Sequence, residues 1–162
     1  MLSRRATLAV GCAALAACAA PPPAEIGAVT EYLECIDCAT VALRPVVALG
    51  DTAVPLLRRA LERGPSPERV ARERAYATDA HERIRRYAAQ HPSLPHIAVD
   101  TVFVADAVMR LDARIRLRAA RALLQIGTRE AVAVVCRVSQ RPPSVRIGTA
   151  LRDLIRDAGL RC

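Results

Sequence analysis

The chain has 162 residues, of which 24 are basic and 16 acidic, giving a formal net charge of +8. Every basic residue is arginine; lysine, asparagine and tryptophan are absent, and there are only three tyrosines and one phenylalanine. A basic chain with so few aromatics to stack bases makes nucleic acid a poor partner and favours an anionic envelope surface, while a GC-rich coding bias is enough to explain arginine replacing lysine.

The N-terminus has three parts. Ser3, Arg4 and Arg5 precede an apolar run from Ala6 to Ala17, which leads into Cys18 and then Pro21, Pro22 and Pro23. A run of about 12 residues rises only ~18 Å as a helix, well short of the ~30 Å hydrocarbon slab. The pattern predicts a cleaved leader and not a membrane span. Leu15-Ala16-Ala17-Cys18 resembles the lipobox of bacterial lipoproteins at all four positions. The resemblance implies cleavage before Cys18, a diacylglycerol on its sulfur and an acylated amine, and several acyl chains anchor stably where one does not. Ala19 stands where a retention signal for the inner membrane would place Asp. Similarity to that sorting rule points to the outer membrane, facing the periplasm. Ser3-Arg4-Arg5 also resembles a twin-arginine start, with Thr7 where that pattern has a bulky apolar residue, so the export route stays open.

Residues 1–17 are thus read as signal peptide, 18–30 as lipidated cysteine and Pro/Ala tether, and 31–162 as a single helical domain. Removing 17 residues from 162 leaves 145, with 22 arginines against 16 acids, or +6. That is about one domain with a real core. Alternating β-branched runs are nearly absent apart from Ala98 to Val104. Asp51 is expected to cap a helix ending at Arg63, before Gly64-Pro65. Ser66-Pro67-Glu68 supplies a cap, an N1 proline and a first-turn acid for a helix to His91-Pro92. Further helices are expected over Ile97 to Arg110, Asp112 to Ile126, Arg129 to Ser139 and Val145 to Ala158.

At 100° per residue, Leu111, Ile115, Ala119, Ala122 and Ile126 form one apolar stripe, while Ala113, Leu117, Ala120 and Leu124 form a second. Arg110, Arg114, Arg118 and Arg121 share a narrow arc with Gln125. A helix apolar on two sides has to be sandwiched between neighbours. The chain also matches itself: residues 42–61, ALRPVVALGDTAVPLLRRAL, align with 119–138, AARALLQIGTREAVAVVCRV. Leu49-Gly50 pairs with Ile126-Gly127, and Ala53-Val54 with Ala131-Val132 after a one-residue gap. Gly50 and Gly127 suit the positive φ that ends one helix before a tight turn into the next.

These stretches resemble HEAT-like repeats of the short type named after phycobilisome lyases: an alanine-rich helix, apolar-Gly, a polar turn such as Asp51, then Ala-Val-Pro and a second helix. Ala133 replaces the proline found at Pro55. The resemblance implies a short all-α superhelix of about six or seven helices. The two glycines are 77 residues apart, about two periods of ~40, so a degenerate unit is expected between them. Such solenoids are mostly surfaces for partners.

Of six cysteines, Cys12 lies in the leader and Cys18 is the lipidation site. Cys35, Cys38, Cys136 and Cys162 remain, an even number in an oxidising compartment, and so read as disulfides. Cys35 with Cys38 and Cys136 with Cys162 is the obvious pairing, one of three. Cys35-x-x-Cys38 is also the spacing of redox and zinc sites. A redox site would want a thioredoxin-like setting, and zinc would want paired histidines that His81, His91 and His96 do not supply. No catalytic constellation, metal site, cofactor signature or small-molecule substrate is legible. Glu31, Glu34 and Asp37 read as a solvated helix edge. The expected function is a lipid-anchored envelope module that docks or scaffolds a protein partner. Three alternatives stay open: a periplasmic thiol-redox protein using Cys35 and Cys38, a binder of anionic lipid through Arg110, Arg114, Arg118 and Arg121, and a chromophore lyase, which the repeat's name alone suggests and for which the sequence supplies no pigment site.

Overall fold

A computed structural model describes residues 23–35, 39–91 and 100–162. The fold is an all-α helical-repeat fold. Among the described residues the helices are α1 (Pro23–Glu34), α2 (Ala39–Ala48), α3 (Val54–Arg63), α4 (Pro67–Ala89), α5 (Asp100–Ile126), α6 (Arg129–Gln140) and α7 (Val145–Asp157). A 3-10 turn, Gly50–Ala53, links α2 to α3, and the described residues contain no strand. The leader, Cys18 and Cys38 lie outside the described residues.

The cap expected at Ser66 forms, and hydroxyls cap two further helices. Ser66 Oγ accepts from the Arg69 amide, Thr128 Oγ1 from Ala131 and Ser144 Oγ from Ile147. Each satisfies one of the amides that a helix start leaves without an intrahelical partner. Asp51 does not cap. It is exposed inside the 3-10 turn, the residue before α3 is Ala53, and Thr52 Oγ1 instead bonds back to the Leu49 carbonyl at 2.8 Å. The 3-10 turn extends the helical path back to Gly50, leaving no extended residue at which an aspartate could cap.

The helix expected from Ile97 is present from Asp100 onward. Two further expectations change. The tether was expected to reach residue 30, but α1 occupies Pro23–Glu34, with Val29, Tyr32 and Leu33 buried. The two helices expected on either side of Leu111 are one helix, α5, because Leu111 is buried mid-helix and Asp112 bonds Arg116 within the helix instead of capping a new one.

α5 is the axis of the molecule. It packs against α1, α2, α3, α4, α6 and α7, as two apolar stripes require. Leu111, Ile115, Ala119 and Ala122 of the first stripe are buried, as are Ala113 and Ala120 of the second. The matched units, α2 with α3 and α5 with α6, stack directly: α2 packs on α5, and α3 on both α5 and α6. Their turns correspond, since Gly50 and Gly127 have φ of 57° and 71°, and Ala53 and Ala131 are both fully buried.

Among the described residues no third unit lies between them. The intervening residues instead make α4 and the first half of α5, an antiparallel hairpin set on the side of the stack. Arg69 and Arg72 at the start of α4 pair with Glu34 of α1 at 3.6 Å. At the other end of the stack α7 buries Ile147, Leu151 and Ile155 and exposes Arg146, Arg152 and Arg156, closing the core with a polar face. Leu57, Leu61, Leu123 and Leu151 have no exposure at all, and each such side chain contributes roughly 2 kcal/mol on burial.

Candidate functional site

The arginine arc of α5 is not one uniform surface. Arg110 pairs with Asp106 in its own helix. Arg118 reaches the end of α1, where its guanidinium donates to the carbonyls of Tyr32 at 3.1 Å, Leu33 at 3.4 Å and Cys35. Tyr32 returns the contact, its hydroxyl donating to the Arg118 carbonyl at 3.1 Å. A cation at the C-terminal carbonyls of a helix satisfies orphan acceptors and complements the helix dipole. Arg114 is half-buried, and its Nε has no hydrogen-bond partner among the described residues. Arg121 is exposed.

These charges act on one another. Burial pushes the Tyr32 hydroxyl above its ordinary value, against the opposing pull of Arg121 and Arg118. Burial lowers Arg118, and the neighbouring Arg114 and Arg121 charges lower it further, with Tyr32 opposing them. Elsewhere, Glu68 is held below the usual carboxylate range by a hydrogen bond from its own amide and then by Ser66, at the start of α4.

Arg116, two residues before Arg118, was not singled out by the sequence. It is buried, its Nε donates to Asp112 at 2.8 Å, and its Nη1 donates to the carbonyls of Leu61 at 2.6 Å and Glu62 at 2.8 Å. It closes the end of α3 as Arg118 closes the end of α1. Next to it, Gly64 has φ 76°, and a methyl group there would overlap the carboxylate of Asp112. One signal was available: on the helical wheel Arg116 falls between the two apolar stripes, four residues after an aspartate.

Cys136 of α6 is disulfide-bonded to Cys162, with Cα atoms 5.3 Å apart. Cys35, half-buried at the end of α1, is also disulfide-bonded; Cys38 falls outside the described residues. Among the described residues no group of three or more histidine, cysteine or acidic side chains could hold a metal ion. His81 is buried in the α4–α5 hairpin, with Nδ1 3.4 Å from the Asp100 carboxylate and its ring against Phe103. His91 stacks on Tyr87 at the end of α4. No described helix is long and apolar enough to cross a membrane.

Two of the surfaces formed by the described residues bear on binding. The first is the α4–α5 hairpin. Seven large apolar side chains are exposed among the described residues, and Tyr76, Ile84, Tyr87, Val102 and Met109, five of the seven, lie on it. A groove of about 440 Å³ runs between its helices, lined by Thr78, Val104, Ala105 and Val108, with Arg74 and Asp100 among its polar residues. The second is a groove of about 570 Å³ at the other end, between α6, α7 and the residues after α7.

Comparison of the chain with protein-family models, with curated proteins and with solved structures finds no match.

Proposed function

We infer that the chain is a lipid-anchored envelope protein whose helical domain docks a protein partner through the α4–α5 hairpin. The observation that carries this reading is the gathering of exposed Tyr76, Ile84, Tyr87, Val102 and Met109 on one hairpin, away from the well-filled core. Scattered exposed apolar residues are ordinary, but a patch confined to one element marks an interaction surface. Aromatic residues and methionine are the side chains that protein interfaces concentrate. The stack behind the hairpin is held by arginine caps and a disulfide, which suits a module that presents a fixed surface. The lipobox at Leu15 to Cys18 supplies the anchor, and the outer membrane facing the periplasm is the expected address. No step of this reading uses catalysis or a cofactor.

The test exchanges Tyr76, Tyr87 and Met109 together for serine in the full chain. All three are exposed, so the melting temperature should hold while co-purification of the membrane partner falls at least tenfold. Unchanged co-purification would remove the hairpin from the account. Palmitate labelling of Cys18→Ala checks the anchor separately, and a variant that stays labelled would end that part of it.

A further inference from the structure

The groove at the C-terminal end is lined in part by Arg152, Ile155, Arg156, Leu160 and Arg161. Its three charged side chains are all arginine, beside the aliphatic Ile155 and Leu160. Arg152 and Arg156 are one helical turn apart on α7, where side chains share a face. Arg152 is steadied by a bond to Thr149 Oγ1 at 3.1 Å, and Arg156 by Asp153 at 2.6 Å.

The third arginine comes from outside the helix and is held there by two devices. After α7 the chain turns back at Gly159, with the Leu160 amide donating to the Ile155 carbonyl at 3.0 Å and the Gly159 amide to Arg156 at 2.9 Å. This closing motif packs Leu160 against the core. One residue beyond Arg161, Cys162 is bonded to Cys136 of α6. The backbone at Arg161 is thereby tied at both sides, which limits the positions its side chain has to give up on binding. The volume of about 570 Å³ falls within the range of ligand sites.

We propose that this groove binds an acidic, aliphatic peptide segment of a partner protein, with carboxylates on Arg152, Arg156 and Arg161 and an aliphatic side chain on Ile155 and Leu160. Guanidinium groups pair with carboxylates through two parallel bonds, which fixes direction as well as charge. The site goes beyond the hairpin reading and stands or falls separately, because it shares no residue with the hairpin.

The experiment measures fluorescence polarisation of a labelled hexapeptide alternating glutamate and leucine, titrated with the full chain in mild detergent. The expected result is saturable binding that weakens with salt and falls about tenfold or more when Arg152 and Arg161 become glutamine. Both are exposed, so an unchanged melting temperature verifies the fold. Replacing the peptide's glutamates with glutamine should abolish binding, and replacing its leucines with serine should weaken it several-fold. The Tyr76→Ser/Tyr87→Ser variant should bind the peptide as the parent does. Absence of binding by the parent, equal affinity in the arginine variant, equal loss in the hairpin variant, or binding to anionic vesicles alone would each overturn the proposal.

Discussion

Arg116 and Arg118, two residues apart on α5, close the C-terminal ends of different helices: Arg116 on Leu61 and Glu62 of α3, Arg118 on Tyr32 and Leu33 of α1. Two residues correspond to about 200° around a helix, so the side chains leave on opposite sides. α5 thus fixes one neighbour to each side through charge-assisted bonds to carbonyls that would otherwise lack partners.

Arg116→Met should be among the most damaging single changes. It strips three acceptors of their donor and leaves the half-buried Asp112 without its partner, a loss of about 3 kcal/mol or more. Replacing Asp112 with leucine in the same molecule should return part of it. Arg121→Gln, at an exposed position, should stay within about 0.5 kcal/mol of the parent. Urea denaturation of the four proteins checks the order.

Gly64→Ala should cost about 2 kcal/mol or more, since it combines a φ of 76° with overlap on Asp112. In the Asp112→Ala background the overlap with the carboxylate disappears, leaving the backbone strain and a close approach to Arg116 Nη2 at 2.8 Å, the end of a flexible side chain. The penalty of Gly64→Ala should therefore shrink to about 1 kcal/mol there, which a double-mutant cycle on melting temperatures reads directly.

Tyr32 predicts an alkaline weakness. Its folded value is raised by burial above 10.0, so below pH 10 both states keep the proton. Above it the unfolded chain loses its proton first, and stability falls as pH rises towards the folded value. Tyr32→Phe should flatten that decline while costing about 1 kcal/mol at neutral pH for the lost bond to Arg118. Denaturation midpoints from pH 8 to 11 give both numbers.

The bond between Cys136 and Cys162 closes a segment with a sequence separation of 26, which by chain entropy stabilises the fold by about 3 kcal/mol. Cys162→Ser should lower stability by about that amount. Hydrogen exchange should show the loss first after Asp157, where the chain leaves α7.

Much of the fold was legible because its signals are local. Ser66 announces a helix start, Gly50 and Gly127 mark equivalent turns, and the double stripe of α5 requires a sandwiched helix. The errors share one physical origin: tertiary packing decided between local options. Asp112 follows a helix turn and looks like a cap, but Arg116 claims it from four residues on. The 77 residues between the two glycines suggested an extra unit, yet spacing along the chain cannot distinguish a stacked layer from a hairpin set aside from the stack. The candidate surfaces were less legible still. An arginine that caps a distant helix and one that faces solvent have the same local pattern, and Arg118 and Arg121 were placed on a single arc.

The central claim is that the hairpin of an anchored chain docks a partner, and site-specific photocrosslinking in living cells tests it most directly. A photoreactive residue would be placed in turn at Tyr76, Tyr87 and Met109, and as controls at Arg58 and Arg129, all exposed. The account predicts one discrete adduct shared by the three hairpin positions, found in the membrane fraction, absent from the controls and lost in Cys18→Ala. Equal labelling at hairpin and control positions, or an adduct indifferent to Cys18, would contradict it.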